Sequence, residues 1–251
     1  MSESESDPAA AIPDPPPTGP RGAERAQKRQ AVVISTLVTL GVAAVISFTF
    51  SPERAGKAIG LIALGAVYAV FTAMALGRLH LRGELRDELR PHGGDLALGA
   101  ITAAFLYGIA MVAHLAITGP GSPRAGWIMR VYLQLGDPTV GPHMLRSAAI
   151  FVVAALEEVT WRGLVMRSLE GAVGENRALL LSTALFAIAH APTIVLLADA
   201  SAGPNPLVVS AALGCSLVWG FIALRYHRLV PAIFAHALFS WAVVEFPIWR
   251  P

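Results

Sequence analysis

Long uncharged runs separated by short polar or arginine-bearing connections make up most of this chain. Seven of them approach the roughly 20 apolar residues that a helix needs to cross the hydrocarbon of a bilayer. They lie near 31–50, 58–77, 96–118, 147–166, 178–197, 206–224 and 229–246, the last being the shortest. The pattern predicts an all-α, polytopic membrane helix bundle of seven spans, or eight if a connector also enters the membrane. Two connectors read as amphipathic and interfacial. In RLHLRGELRDELR, arginines 78, 82, 86 and 90 form one stripe and Leu81, Leu85 and Leu89 another, suited to an anionic leaflet. RAGWIMRVYLQL sets Trp127, Ile128, Val131, Tyr132 and Leu135 on one helical face.

Composition agrees with the pattern. Hydrophobic residues make up 55% of the 251 and charged residues only 14%, against about 25% charged in a soluble domain. Such a chain is not built to bind nucleic acid; its expected surroundings are the lipid bilayer. Residues 1–30 are rich in Pro, Ser and Asp, with PDPPPTGP at their centre, and predict a disordered cytoplasmic tail. Residues 31–251 then form a single transmembrane domain. Cys215 is the one cysteine, which excludes an internal disulfide and any cysteine-cluster metal site.

Charge distribution bears on orientation. With the N-terminus inside, the cytoplasmic segments hold Arg21, Arg25, Lys28, Arg29, Arg78, Arg82, Arg86, Arg90, Arg167, Arg177, Arg225 and Arg228. The outer segments hold Arg54, Lys57, Arg124, Arg130, Arg146 and Arg250. The excess places the N-terminus in the cytoplasm and the C-terminus outside. The Ala-, Gly- and Arg-rich composition suits an integral protein of a bacterial cytoplasmic membrane.

Polar residues inside the spans carry the chemistry. Glu157 and Glu158 lie in the fourth predicted span, His190 in the fifth and His236 in the seventh, at similar depth. Ionisable groups at mid-membrane are costly, face the bundle interior and find partners. Glu158 and Arg162 are spaced i, i+4 and predict a structural ion pair. Glu157 points about 100° away and has Trp161 at i+4. A desolvated carboxylate of this kind suits a general base holding a water with a nearby imidazole. His114, in the third span, reads as glue between helices or as a distant pocket residue.

EEVTWR (157–162) resembles the E-E-x-x-x-R motif of the CPBP family, the CAAX prenyl-protease and bacteriocin-processing family of intramembrane peptidases. FAIAH (186–190) resembles its F-x-x-x-H motif, and HALFS (236–240) sits where the family has H-x-x-x-N. The resemblance covers about residues 147–245. It implies an endopeptidase acting on a membrane-anchored protein or peptide. Glu157 is then the catalytic base, holding water with His190. Glu158 and Arg162 are the stabilising pair, and His236 binds the oxyanion. Ser240 replaces the family's asparagine as a supporting donor. The implied mechanism is glutamate-type with no cofactor. Zinc held by Glu157, His190 and His236 is the alternative, although no H-E-x-x-H helix is present.

Three rivals share these residues or bypass them. A serine-type site would pair Ser216 of Gly214-Cys215-Ser216 with His236, leaving Glu157, Glu158 and His190 without a task. A non-catalytic scaffold or bacteriocin-immunity protein would use the polar residues only as glue. A transporter would use the acids as proton carriers, but the sequence has no internal repeat.

Overall fold

The computed structural model describes residues 20–136 and 143–248. Their regular structure is helical, and no strand occurs among the described residues. The order is α1 (Pro20–Thr49), α2 (Ala58–Leu81), α3 (Leu85–Leu89), α4 (Asp95–Ile117), α5 (Ala125–Leu135) and α6 (His143–Glu158). α6 runs through a π-helical turn, Val159–Met166, into α7 (Arg167–Val173). Then come α8 (Glu175–Ala189), α9 (Thr193–Leu196), α10 (Leu207–Tyr226) and α11 (Val230–Glu245).

All seven expected spans correspond to helices, but five stretches are long and apolar enough to cross a membrane by that measure alone. These are Arg21–Thr49, Ala58–Leu81, Asp95–Ile117, Glu175–Leu196 and Leu207–Tyr226. α11 is apolar but shorter. The stretch through α6 is not among the five, because Glu157, Glu158 and Arg162 interrupt its apolar run. Those residues are buried within the protein, so the polarity that spoils the hydropathy pattern is not offered to lipid.

That interrupted stretch is the centre of the bundle. Every residue of the π turn is buried, and α2, α7 and α8 pack around it. α11 lies against both α4 and α6, and α10 lies against α8. At the α4–α11 crossing the absence of a side chain is required. A Cβ on Gly99 would lie 2.8 Å from the Phe234 ring and 3.1 Å from the Ala235 backbone nitrogen. Membrane helices approach this closely only across small residues.

Three expectations change. α1 begins at Pro20, so residues 20–30, assigned to the tail, extend the first helix; residues 1–19 of that tail lie outside the described residues. The arginine-striped connector is not one amphipathic helix. It breaks at Gly83, whose φ of +73° is a left-handed conformation that glycine tolerates best, and only the five-residue α3 follows. Within α3, Glu88 turns inward to Arg167, 2.7 Å away. Burial of Glu88 raises its proton affinity, and Arg167 acts against that rise. The fifth span is broken: α8 stops at Ala189 and α9 resumes after Pro192. A proline disfavours helical geometry in the residue before it. His114 lies 3.4 Å from the hydroxyl of Thr118, which caps the end of α4.

α5 is held more firmly than a surface connector. The Trp127 indole N–H donates to the Gly203 carbonyl at 3.1 Å, and the Tyr132 hydroxyl donates to the Val243 carbonyl at 3.1 Å.

Candidate active site

The two adjacent acids part company at the end of α6. Glu158 is fully buried, and its Oε1 accepts from Arg162 Nη1 at 3.0 Å. The expected i, i+4 pair is therefore present. Arg162 is also held on its far side, where Nη2 donates to the Ser216 carbonyl at 2.8 Å and to the Ser216 hydroxyl at 2.9 Å. The guanidinium thus joins α10 to the π turn. Its carbon sits 5.3 Å from the Phe186 ring centre and 5.9 Å from that of Trp219. A buried charge needs this many partners, since leaving water costs several kcal/mol per ion.

His236 of α11 comes between the acids. Its Nδ1 lies 2.8 Å from Glu158 Oε1, and its Nε2 lies 3.4 Å from Glu157 Oε2. The Glu158 carboxylate can only accept while it is ionised and paired to Arg162, so Nδ1 carries the hydrogen. The other nitrogen then faces Glu157. The ring is fixed from a third direction by Trp219, stacked at 3.7 Å between centroids and 18° between planes.

Glu157 faces a cavity of about 870 Å³, which Ser240 also lines. The walls are apolar, from α2 and α6. One end of the cavity lies beside the α1–α2 connection and the end of α5, where Arg54, Lys57 and Arg146 are found, and this is the end of the bundle opposite the start of α1. Glu157 also meets Tyr68 of α2, a fully buried residue whose hydroxyl interacts with the carboxylate. The Trp161 indole N–H donates to the same hydroxyl at 3.4 Å. The phenol oxygen is therefore left to give its own hydrogen to Glu157.

His190 stands at the end of α8, and its Nδ1 lies 2.8 Å from the Phe186 carbonyl. A carbonyl only accepts, so Nδ1 bears the hydrogen and Nε2 presents a lone pair in the neutral ring. The F-x-x-x-H spacing supplies this bond, one turn back along the helix. Phe186 also lies against the His190 ring at 4.6 Å and edge-on to Trp161 at 5.2 Å. His190 lies within electrostatic range of His236. Glu157 meets His236 and Tyr68 directly.

The alternative zinc set of Glu157, His190 and His236 is not assembled: no group of three His, Cys, Asp or Glu able to hold a metal ion occurs among the described residues. Both nitrogens of His236 are directed at carboxylates. The serine-type alternative also lacks its geometry, because the Ser216 hydroxyl is bound to Arg162 and His236 is turned toward the acids.

Tyr68, Ser216 and Trp219 are the contributors that the motifs do not contain. Tyr68 was open to detection, because a buried phenol in a span needs a polar partner; Trp219 acts through its ring face on His236, and its buried indole nitrogen has no hydrogen-bond partner among the described residues. Ser216 offered no such signal, since serine is also an ordinary packing residue between membrane helices.

No curated protein and no solved structure matches the chain. Residues 139–242 match the family model described as type II CAAX prenyl endopeptidase Rce1-like. That segment carries EEVTWR, FAIAH and HALFS, so the resemblance drawn from those motifs is borne out over it: this part of the chain is similar to the Rce1-like type II CAAX prenyl endopeptidases.

Proposed function

We propose that the protein hydrolyses a peptide bond in a membrane-associated protein or peptide, using water activated by Glu157. One observation carries the proposal: a buried carboxylate at the floor of a large apolar cavity, 3.4 Å from an imidazole nitrogen. A carboxylate so placed takes a proton from water as that water attacks a carbonyl brought into the cavity. The His236 ring shares the proton, and the pair returns it to the departing amine. Tyr68 orients the carboxylate. The lone pair on His190 Nε2 suits it to accept a hydrogen from the same water. The Ser240 hydroxyl, with His236, is available to donate to the tetrahedral oxyanion. Glu158 and Arg162 do not take part in proton transfer; they hold His236 in register.

The mechanism needs no metal. The N-terminus is assigned to the cytoplasm, as the distribution of Lys and Arg favours.

Glu157→Gln tests the core of this assignment. The amide matches the carboxylate in shape and cannot take a proton. The variant is expected to fold as wild type and to lose cleavage of an apolar peptide in proteoliposomes, read by mass spectrometry of the products. Full cleavage by this variant would refute Glu157 as the base. Failure of both proteins to cleave a broad set of membrane peptides would favour a non-catalytic scaffold.

A further inference from the structure

A second groove lies away from Glu157, between α4 and α10. It holds about 480 Å³. α4 contributes Ile101 and Phe105 to its walls, and α10 contributes Phe221, Ile222, Arg225 and Tyr226. The two helices run antiparallel here, because Arg228, just past α10, pairs with Asp95 at the start of α4 at 2.6 Å. Arg225 therefore marks one end of the groove, beside the first turns of α4. The walls beyond Arg225 and Tyr226 are apolar apart from Thr102. Ile101, Phe105 and Phe221 are exposed, and both helices are long and apolar enough to cross a membrane, so the groove opens to hydrocarbon. From Val218 to Tyr226 the α10 wall runs about 12 Å, most of the roughly 15 Å of hydrocarbon in one leaflet.

Charge at that end is unbalanced. Arg228 is neutralised by Asp95, and Arg167 by Glu88 and Glu170. Arg225 is exposed, has no carboxylate partner among the described residues, and lies 5.8 Å from the Tyr226 ring centre. The connection from α2 to α4, at the same end, adds Arg82, Arg86 and Arg90 against Glu84 and Asp87, with Glu88 turned in to Arg167. A guanidinium at the end of an apolar groove fits a phosphate joined to an acyl chain. The excess of positive charge favours a headgroup of net negative charge over a zwitterionic one, whose ammonium would meet Arg225.

We infer that the α4–α10 groove binds one anionic phospholipid, with an acyl chain along Ile101, Phe105 and Phe221 and the phosphate on Arg225. Such a lipid would brace the neighbourhood of His236. α4 and α10 both pack on α11, and Trp219, one turn before Ile222 on α10, stacks on His236. The inference does not use the protease assignment, and it holds for either direction of the bundle in the membrane.

Native mass spectrometry of the full chain, released from detergent micelles, tests the inference. Dioleoyl phosphatidylglycerol and dioleoyl phosphatidylcholine are titrated separately. One phosphatidylglycerol is expected to be retained about tenfold more tightly than phosphatidylcholine, as a charge-assisted contact provides. Arg225→Gln should remove most of that preference, and Arg225→Lys should keep part of it. Arg86→Gln, at an exposed arginine outside the groove, should leave it unchanged. Ile101→Trp, at an exposed position on the wall, should fill the groove and lower retention of both lipids severalfold. Equal retention of the two lipids by the wild type overturns the inference. So does an equal loss of preference in Arg86→Gln and Arg225→Gln, which would make the attraction a property of the whole basic end. If Arg225→Gln fails to fold, undiminished retention in Ile101→Trp overturns it independently. A wild-type dimer that Ile101→Trp separates would make the groove an interface between copies and overturn it as well.

Discussion

His236 ties together groups that the sequence separates by almost eighty residues. Its two nitrogens address Glu158 at 2.8 Å and Glu157 at 3.4 Å. The Glu158–Arg162 pair therefore does more than neutralise itself, because it presents the oxygen that holds the histidine. Arg162→Ala removes the partner of a carboxylate that is fully buried and also strands the Ser216 acceptors. Breaking a buried pair in this way costs about 3–5 kcal/mol. The expected outcome is a marked fall in the yield and melting temperature of folded protein. Arg162→Lys should rescue only part, because one ammonium cannot reproduce the flat fork that grips Glu158 and Ser216 together. A fully folded, inactive Arg162→Ala would show instead that the arginine contacts substrate. His236→Ala is expected to slow cleavage by about 10²–10³-fold as a lost oxyanion donor, with some loss of stability from the unpartnered Glu158 oxygen. The acid–base residues were legible from sequence because charge inside an apolar run is conspicuous. Which histidine joined which acid was not, since equal depth along three helices leaves their rotation undetermined.

Helix ends and turns decide those rotations. The π turn after Glu158 is wholly buried, and π turns recur at functional sites because they re-aim side chains at little cost in length. The break at Pro192 leaves His190 at the end of α8, where its own helix supplies the Phe186 carbonyl. A hydropathy pattern reads both stretches as uninterrupted spans. It counts apolar residues and does not register one extra residue in a turn or a short non-helical gap. Helix existence and order were thus recoverable from sequence, and the irregularities that shape the site were not. The α4–α11 crossing offers a test at this level. Gly99→Ala forces a Cβ to within 2.8 Å of Phe234 and 3.1 Å of the Ala235 nitrogen, and the backbone cannot yield as a flexible side chain would. Overpacking of this kind costs about 1–3 kcal/mol. Because Ala235 adjoins His236, cleavage should fall together with the melting temperature. Wild-type stability and activity in Gly99→Ala would mean that α4 and α11 do not meet at this residue.

Two properties belong to the molecule as a whole. One is the proposed independence of metal. Purified protein treated with a strong chelator is expected to keep its activity, whereas loss restored selectively by zinc would make Glu157, His190 and His236 ligands after all and require them to move together. The other is which side of the membrane the cavity faces. The distribution of Lys and Arg predicts the start of α1 in the cytoplasm, and the cavity's Arg54 and Lys57 end lies at the opposite end of the bundle. A mouth at that end would then face outward, and substrate would arrive from that leaflet. The chain is suited to a direct test, because its one cysteine, Cys215, is buried at 9% exposure. Lys57→Cys and Arg25→Cys each add a thiol at an exposed position. A membrane-impermeant maleimide applied to intact cells should label the first and spare the second until the membrane is permeabilised. The reverse pattern would turn the whole bundle over and bring that end of the cavity to the cytoplasm. Labelling of both from outside would mean that α1 does not cross the bilayer. Either result would leave the contacts among Glu157, Glu158 and His236 unchanged, since they depend on packing within the bundle rather than on its direction in the membrane.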